Sequence, residues 1–225
     1  MKFYLAYDKT SDQFNEIKLW IRKHMDGSVS SKMKESGVAY DINYGVSSVH
    51  LKKYAGQITP SSRLAWRLWD SRIRECMLLA IMLFEKDLTI DELNLLGKDL
   101  VNIELAEQFG FCLGGDISQV ETKLLPWLQS ENEYERVAAL ISVATHLQRS
   151  NGSDVAALLA FYNRATELTF YSFSMQRAMV RFLTHLIKIA DFKMKVTSLI
   201  ELWMNGNNTV QKAVANEILI ELEYS

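Results

Sequence analysis

Proline is nearly absent from this chain, with 2 in 225 residues, and glycine is sparse at 10. So few chain breakers argue against a turn-rich all-β architecture. Cysteine is too scarce for a disulfide framework. Cys76 and Cys112 lie far apart and form no C-x-x-C pair, so no zinc knot is indicated either. Both sit in apolar surroundings and read as small buried hydrophobes. Long apolar runs are missing too. The opening residues, MKFYLAYDKT, lack the apolar centre of a signal peptide, and no run reaches the length of a membrane span. A cytoplasmic protein with no membrane partner is the expectation. Charge of one sign is also lacking overall, at net −2, but it is unevenly spread. Residues 1–74 hold 13 Lys and Arg against 7 Asp and Glu, whereas residues 75–225 hold 12 against 20. A basic first third could face phosphates or be an ordinary solvated surface.

What the chain does have is apolar residues at helical spacing, 48% of its length. Phe14, Ile17, Leu19, Trp20, Ile21 and Met25 line an opening helix. The polar stretch 26–37, DGSVSSKMKESG, reads as a mobile loop. A helix begins at Ser47 or Ser48, whose hydroxyl caps it. Pro60 fits the first turn of a further helix carrying Leu64, Trp66, Leu68 and Trp69. In LWDSRIRECMLLA (68–80), Asp70 or Ser71 is the expected cap, and Arg72 and Glu75 would pair on the exposed face. Further helices are expected at about 91–100, 103–113, 118–128, 132–149, 153–169, 173–190, 195–204 and 208–223. With no alternating strand pattern, the chain reads as a single all-α domain over 1–225.

The later helices resemble one another. ERVAALISVA (135–144), QRAMVRFLTHL (176–186) and QKAVANEILIEL (211–222) each open polar, basic and small, then turn apolar. Their basic residues Arg136, Arg177 and Lys212 recur at a spacing suited to HEAT or armadillo repeats, over about 40–222. A helical-repeat solenoid follows as the expected fold, with an irregular helical bundle as the alternative. The four histidines are scattered, and FGFCLGGD (109–116) has no strand before it and no G-K-[ST]. An interhelical turn at Gly114–Gly115 suits it better than a nucleotide cradle.

Three stretches resemble the HEAT-like DNA alkylation repair family, which includes the AlkD-type DNA glycosylases. YGVSSVHLKKYA (44–55) matches that family's Gly-Val…Leu-basic-Lys helix. LAWRLWDSRIRECMLLAIML (64–83) matches its LW…E…A helix pair. NIELAEQF (102–109) stands where many members have N-W-D-x-x-D-x-F. The resemblance covers about residues 40–220. It implies a basic concave groove for double-stranded DNA and, in active members, release of N3- or N7-alkylated purines. A carboxylate would stabilise the developing oxocarbenium ion, aromatic faces would hold the cationic base, and an arginine would grip phosphate. No metal or organic cofactor is implied.

Residue by residue, the resemblance assigns Glu107 to the catalytic carboxylate and Arg136 to the phosphate grip. Lys52, Lys53, Arg177 and Arg181 join Arg136 as expected DNA contacts. Ile103 and Arg181 stand at the two lesion-facing tryptophan positions, and neither offers a π face. Three readings stay open. One is a DNA glycosylase of altered specificity, or its non-excising DNA-binding form; the second is a HEAT-like scaffold for DNA or a protein partner; the third is a structural domain of a larger assembly. A monomer is expected.

Overall fold

The structure, a computed structural model, describes residues 9–149, 154–169 and 172–223. It is all-α: among the described residues there is no strand, only an isolated bridge between Ile42 and Ile73. The helices group into two compact units, Met1–Glu85 and Lys86–Ser225, where the sequence reading had one domain.

The first unit contains α1 (Lys9–Lys23), α2 (Gly27–Glu35), α3 (Ser48–Ala55), α4 (Ser62–Asp70) and α5 (Arg74–Leu83). Its centre is α5, on which α1, α3 and α4 all pack. Only Met82 of that helix escapes full burial, as expected of a helix apolar on nearly every side. Ser47 caps α3 by accepting from the His50 amide, as its sequence suggested.

Three local expectations are corrected. The stretch 26–37 is not a loop, because α2 occupies Gly27–Glu35. Asp26 caps it, accepting from the Ser28 and Val29 amides, and the Ser30 hydroxyl donates to the Asn43 carbonyl. No residue of α2 is buried, so hydrogen bonds rather than an apolar face hold it, and apolar periodicity cannot reveal such a helix. Pro60 lies before α4, whose cap is Ser61. Asp70 and Ser71 end α4 instead of starting α5, and Arg72 takes a left-handed conformation (φ 57°) at the turn between them.

Glu75 is the largest departure. It is wholly buried, not on an exposed face, and its partner is Arg74, at 3.0 Å, not Arg72. The carboxylate also accepts from the Tyr44 and Val46 amides, each at 3.2 Å, while the Arg74 guanidinium donates to the Val46 carbonyl at 2.8 Å. One ion pair therefore fastens segment 44–46 to the central helix and satisfies backbone groups that burial would otherwise orphan.

The second unit contains α6 (Ile90–Lys98), α7 (Ile103–Cys112), α8 (Val120–Lys123), α9 (Glu133–Arg149), α10 (Val155–Thr166), α11 (Phe173–Leu186), α12 (Ala190–Asn205) and α13 (Thr209–Glu223). The helix expected over 118–128 is broken: α8 is one turn, followed by a 3-10 turn over Leu125–Gln129 with Pro126 near its start. Packing runs from α7 to α9, from α9 to α11 and from α11 to α13. Central to the unit is α9, in which Val137 through Thr145 are all buried.

Removing the Glu75 carboxylate would strand Arg74 and two amides in the interior. Glu75→Ala is expected to cost about 3–5 kcal/mol, the usual loss on breaking a buried pair. Urea denaturation followed by circular dichroism measures it. An unchanged midpoint would show that the pair does not anchor the unit.

Candidate nucleic-acid interface

Three of the six site residues expected from the sequence line one cavity of about 140 Å³ in the second unit: Glu107, Arg177 and Arg181. Helical spacing explains the convergence. Glu107 and Phe111 are one turn apart on α7, and Arg177, Arg181 and His185 form a stripe at four-residue steps on α11. Glu217 and Glu221 supply a third edge from α13. Ile141 of α9 lies between the α7 and α11 edges.

Glycine lets these helices meet. A Cβ on Gly110 would lie 2.6 Å from the Ile141 side chain, and one on Gly114 would lie 1.9 Å from the Ser142 hydroxyl. Only hydrogen fits at either position, so α7 and the turn after it ride directly on α9. Cations then hold the end of α7. Lys86 donates to the Cys112 carbonyl at 2.7 Å and Arg149 to the Phe111 carbonyl at 2.8 Å, where orphan carbonyls and the helix dipole favour positive charge. Asp116 accepts from Arg149 at 2.7 Å and neutralises part of that charge.

Arg181 is the most constrained charge in the cavity. Its guanidinium lies 4.7 Å from the Phe111 ring centroid, a cation–π geometry, and Nη2 donates to Gln148 at 3.0 Å. Nε is buried with no hydrogen-bond partner. Burial pulls the Arg181 pKa down, Glu221 opposes that shift and Arg149 adds to it. Arg177 is exposed, with its guanidinium 5.7 Å from the Phe173 ring. Around the cavity stand two guanidiniums, one imidazole and three carboxylates. The arrangement can hold cations as readily as anions.

The other expected residues lie elsewhere. Arg136 does not line the cavity; it donates to the Ser130 carbonyl, closing the turn that leads into α9, and its Nε is buried without a partner. Lys52 and Lys53 are exposed in the last turn of α3, in the first unit. Ile103, where the resemblance implies the first lesion-facing tryptophan, is half-buried and lies outside the cavity. Sequence reasoning missed Phe111, His185, Glu217 and Glu221. The sequence signals were Phe111 standing one turn beyond Glu107 and His185 one turn beyond Arg181. Among the described residues no group of His, Cys, Asp and Glu side chains could hold a metal ion.

The surroundings of His185 set the sign of its pH dependence. Burial lowers its pKa from the ordinary 6.5, its bond to the Arg181 carbonyl opposes the shift, and the Arg181 and Lys188 cations reinforce it. The unfolded chain then binds the proton first, so stability falls as pH drops below about 6.5 toward the folded-state value. His185→Gln is expected to flatten the Tm–pH slope between about pH 7 and 5. Parallel slopes in the two proteins would refute the assignment.

None of the curated proteins matches this sequence. A solved structure has the same fold at TM-score 0.71 and 14% identity, over 92% of this chain and 94% of the other. That structure is described as a new family of proteins related to the HEAT-like repeat DNA glycosylases, with affinity for branched DNA structures. Its likeness gives the HEAT-like repeat fold expected from the helix spacing. The sequence also matches the DNA alkylation repair enzyme family over residues 17–183, most of its length. The chain belongs to the DNA alkylation repair enzyme family.

Proposed function

We propose that this protein binds DNA without excising alkylated purines. The observation that carries this reading is the Arg181 guanidinium seated on Phe111. An N3- or N7-alkylated purine is itself a cation and would be held by just such an aromatic face. Here a cation of the protein already covers that face, at the position where the resemblance implies a lesion-facing tryptophan. An incoming cationic base would lose the π contact and meet like charge. DNA binding draws support from exposed Arg177, Lys52 and Lys53. The solved neighbour's affinity for branched DNA suggests comparing branched with linear duplex.

A second reading rests on Glu107. It lines the same cavity as Glu217 and Glu221, and three carboxylates would favour a cationic base and its oxocarbenium transition state. The two readings differ in one measurable product.

Fluorescence polarisation with linear and branched DNA should give affinity that falls as salt rises, because phosphate contacts release counterions. Arg177→Ala should reduce the slope of log K against log salt by about 0.9, the share of one phosphate. Release of 7-methylguanine from methylated DNA should be absent both in the native protein and in Glu107→Ala. Release by the native protein that Glu107→Ala abolishes would establish excision instead. Weak binding insensitive to salt would remove DNA as the partner.

A further inference from the structure

A second cavity, of about 260 Å³, opens in the first unit and is lined by Trp20, His24, His50, Lys53, Tyr54 and Gln57. Its walls are aromatic and ordered. The Tyr54 ring lies parallel to Trp20, at 1° and 4.0 Å between centroids, and His24 stacks on Trp20 at 4.1 Å and 25°. His50 meets His24 edge-on at 6.4 Å. Two helices build the stack. Trp20 and His24 are four apart at the end of α1, and His50, Lys53 and Tyr54 share α3, so each ring is positioned by helical spacing. The His24 Nδ1 donates to the Trp20 carbonyl at 2.8 Å, which fixes the ring and leaves Nε2 for a ligand.

Polar groups around the rings are unspent. Among the described residues, the side chains of Lys53 and His50 make no hydrogen bond or ion pair. Lys52 stands exposed beside Lys53 in the last turn of α3. Stacked rings with a free ammonium, a free imidazole and the Gln57 amide make a poor apolar core but a good nucleotide site. Rings take the flat face of a base, an amide can read its edge, and a cation takes its phosphate.

We propose that this cavity binds one unpaired nucleotide of a DNA strand. Tyr54 and His24 take the two faces of Trp20, so the base stacks on an outer face of this three-ring sandwich, which Trp20 holds together from within, and its phosphate lies at Lys53 and His50. A base still paired within a duplex presents no free face, so the site selects strands that are single or splayed at a branch. This inference rests on the DNA-binding reading but uses other residues, so the two can fail separately.

The test compares the full-length native protein with Trp20→Leu, which removes the ring and keeps apolar bulk. Binding of single-stranded oligo-dT, a 5′-flap junction and blunt duplex is measured by fluorescence polarisation. Loss of one stacked base should weaken oligo-dT and flap binding by roughly 5- to 150-fold and leave duplex binding unchanged. An oligonucleotide with a single 2-aminopurine, titrated with native protein, should lose fluorescence as the base stacks; this readout needs no variant. Duplex binding with Trp20→Leu indifferent to the strand, or with 2-aminopurine unquenched, overturns this site and leaves DNA binding standing. Equal weakening on all three substrates also overturns it, since the ring would then serve only the fold. Displacement of oligo-dT by dTMP at matching affinity overturns the strand assignment in favour of a free nucleotide. Native protein that binds none of the three DNAs overturns the DNA-binding reading and this site together.

Discussion

The contact on which the second unit depends is the approach of α7 to α9 across Gly110 and Gly114. Both glycines leave less room than one methyl group needs against Ile141 and Ser142. Because α9 is buried through its middle, it cannot yield to a bulkier neighbour without opening the core. With α7 held on one side of it and α11 on the other, Phe111 and Arg181 come within cation–π range although 70 positions separate them in sequence. The cavity is thus a by-product of helix packing. Its charges are placed by three separate helices, and its width is set by two residues that carry no chemistry.

That geometry gives Arg181 its meaning. Read as sequence, an arginine at an aromatic position is only a loss, because it offers no ring to a cationic base. In the structure it is also an occupant: it takes the aromatic face that α7 supplies and ties itself to Gln148. A guanidinium stacks on aromatic rings and stays protonated even where burial disfavours its charge, so the Phe111 face stays covered at physiological pH. In the proposed reading a cationic lesion would want that face vacant, and Glu107 would face a cavity in which the ring is already taken.

The fold was legible in the sequence wherever burial sets the pattern. The helix expected over 132–149 is Glu133–Arg149, and the one expected over 208–223 is Thr209–Glu223, because a helix that packs must repeat its apolar residues every three or four positions. Where hydrogen bonds replace burial, the pattern is silent: α2 has no buried residue and was invisible. Local cap chemistry misled at Asp70–Glu75, since a polar run before an apolar one looks the same whether it opens a helix or closes the preceding one. Besides Arg74, Glu75 accepts from the Tyr44 and Val46 amides, 31 and 29 positions upstream. In the cavity, Glu107, Arg177 and Arg181 could be placed by resemblance and spacing. Glu217 and Glu221 could not, because only the packing of α13 on α11 brings them there.

Two confined arginines differ in how fully their donors are satisfied. Arg74 is almost fully buried, pairs with Glu75 and donates to the Val46 carbonyl; that pair binds backbone to backbone and offers nothing to a ligand. Arg181 faces a ring and a neutral amide, and keeps a buried Nε with no partner at the wall of an open cavity. A charge left under-satisfied at an opening is stabilised further by whatever acceptor arrives, whereas a saturated one is not. The same criterion picks out Lys53 and His50 beside the stacked rings of the first unit. It passes over Lys86 and Arg149, whose donors are already spent on the end of α7 and on Asp116. Lys53 thus stands beside the stacked rings of the first unit with its donors unspent, whereas Arg181 in the second unit already lies on the Phe111 ring and is tied to Gln148.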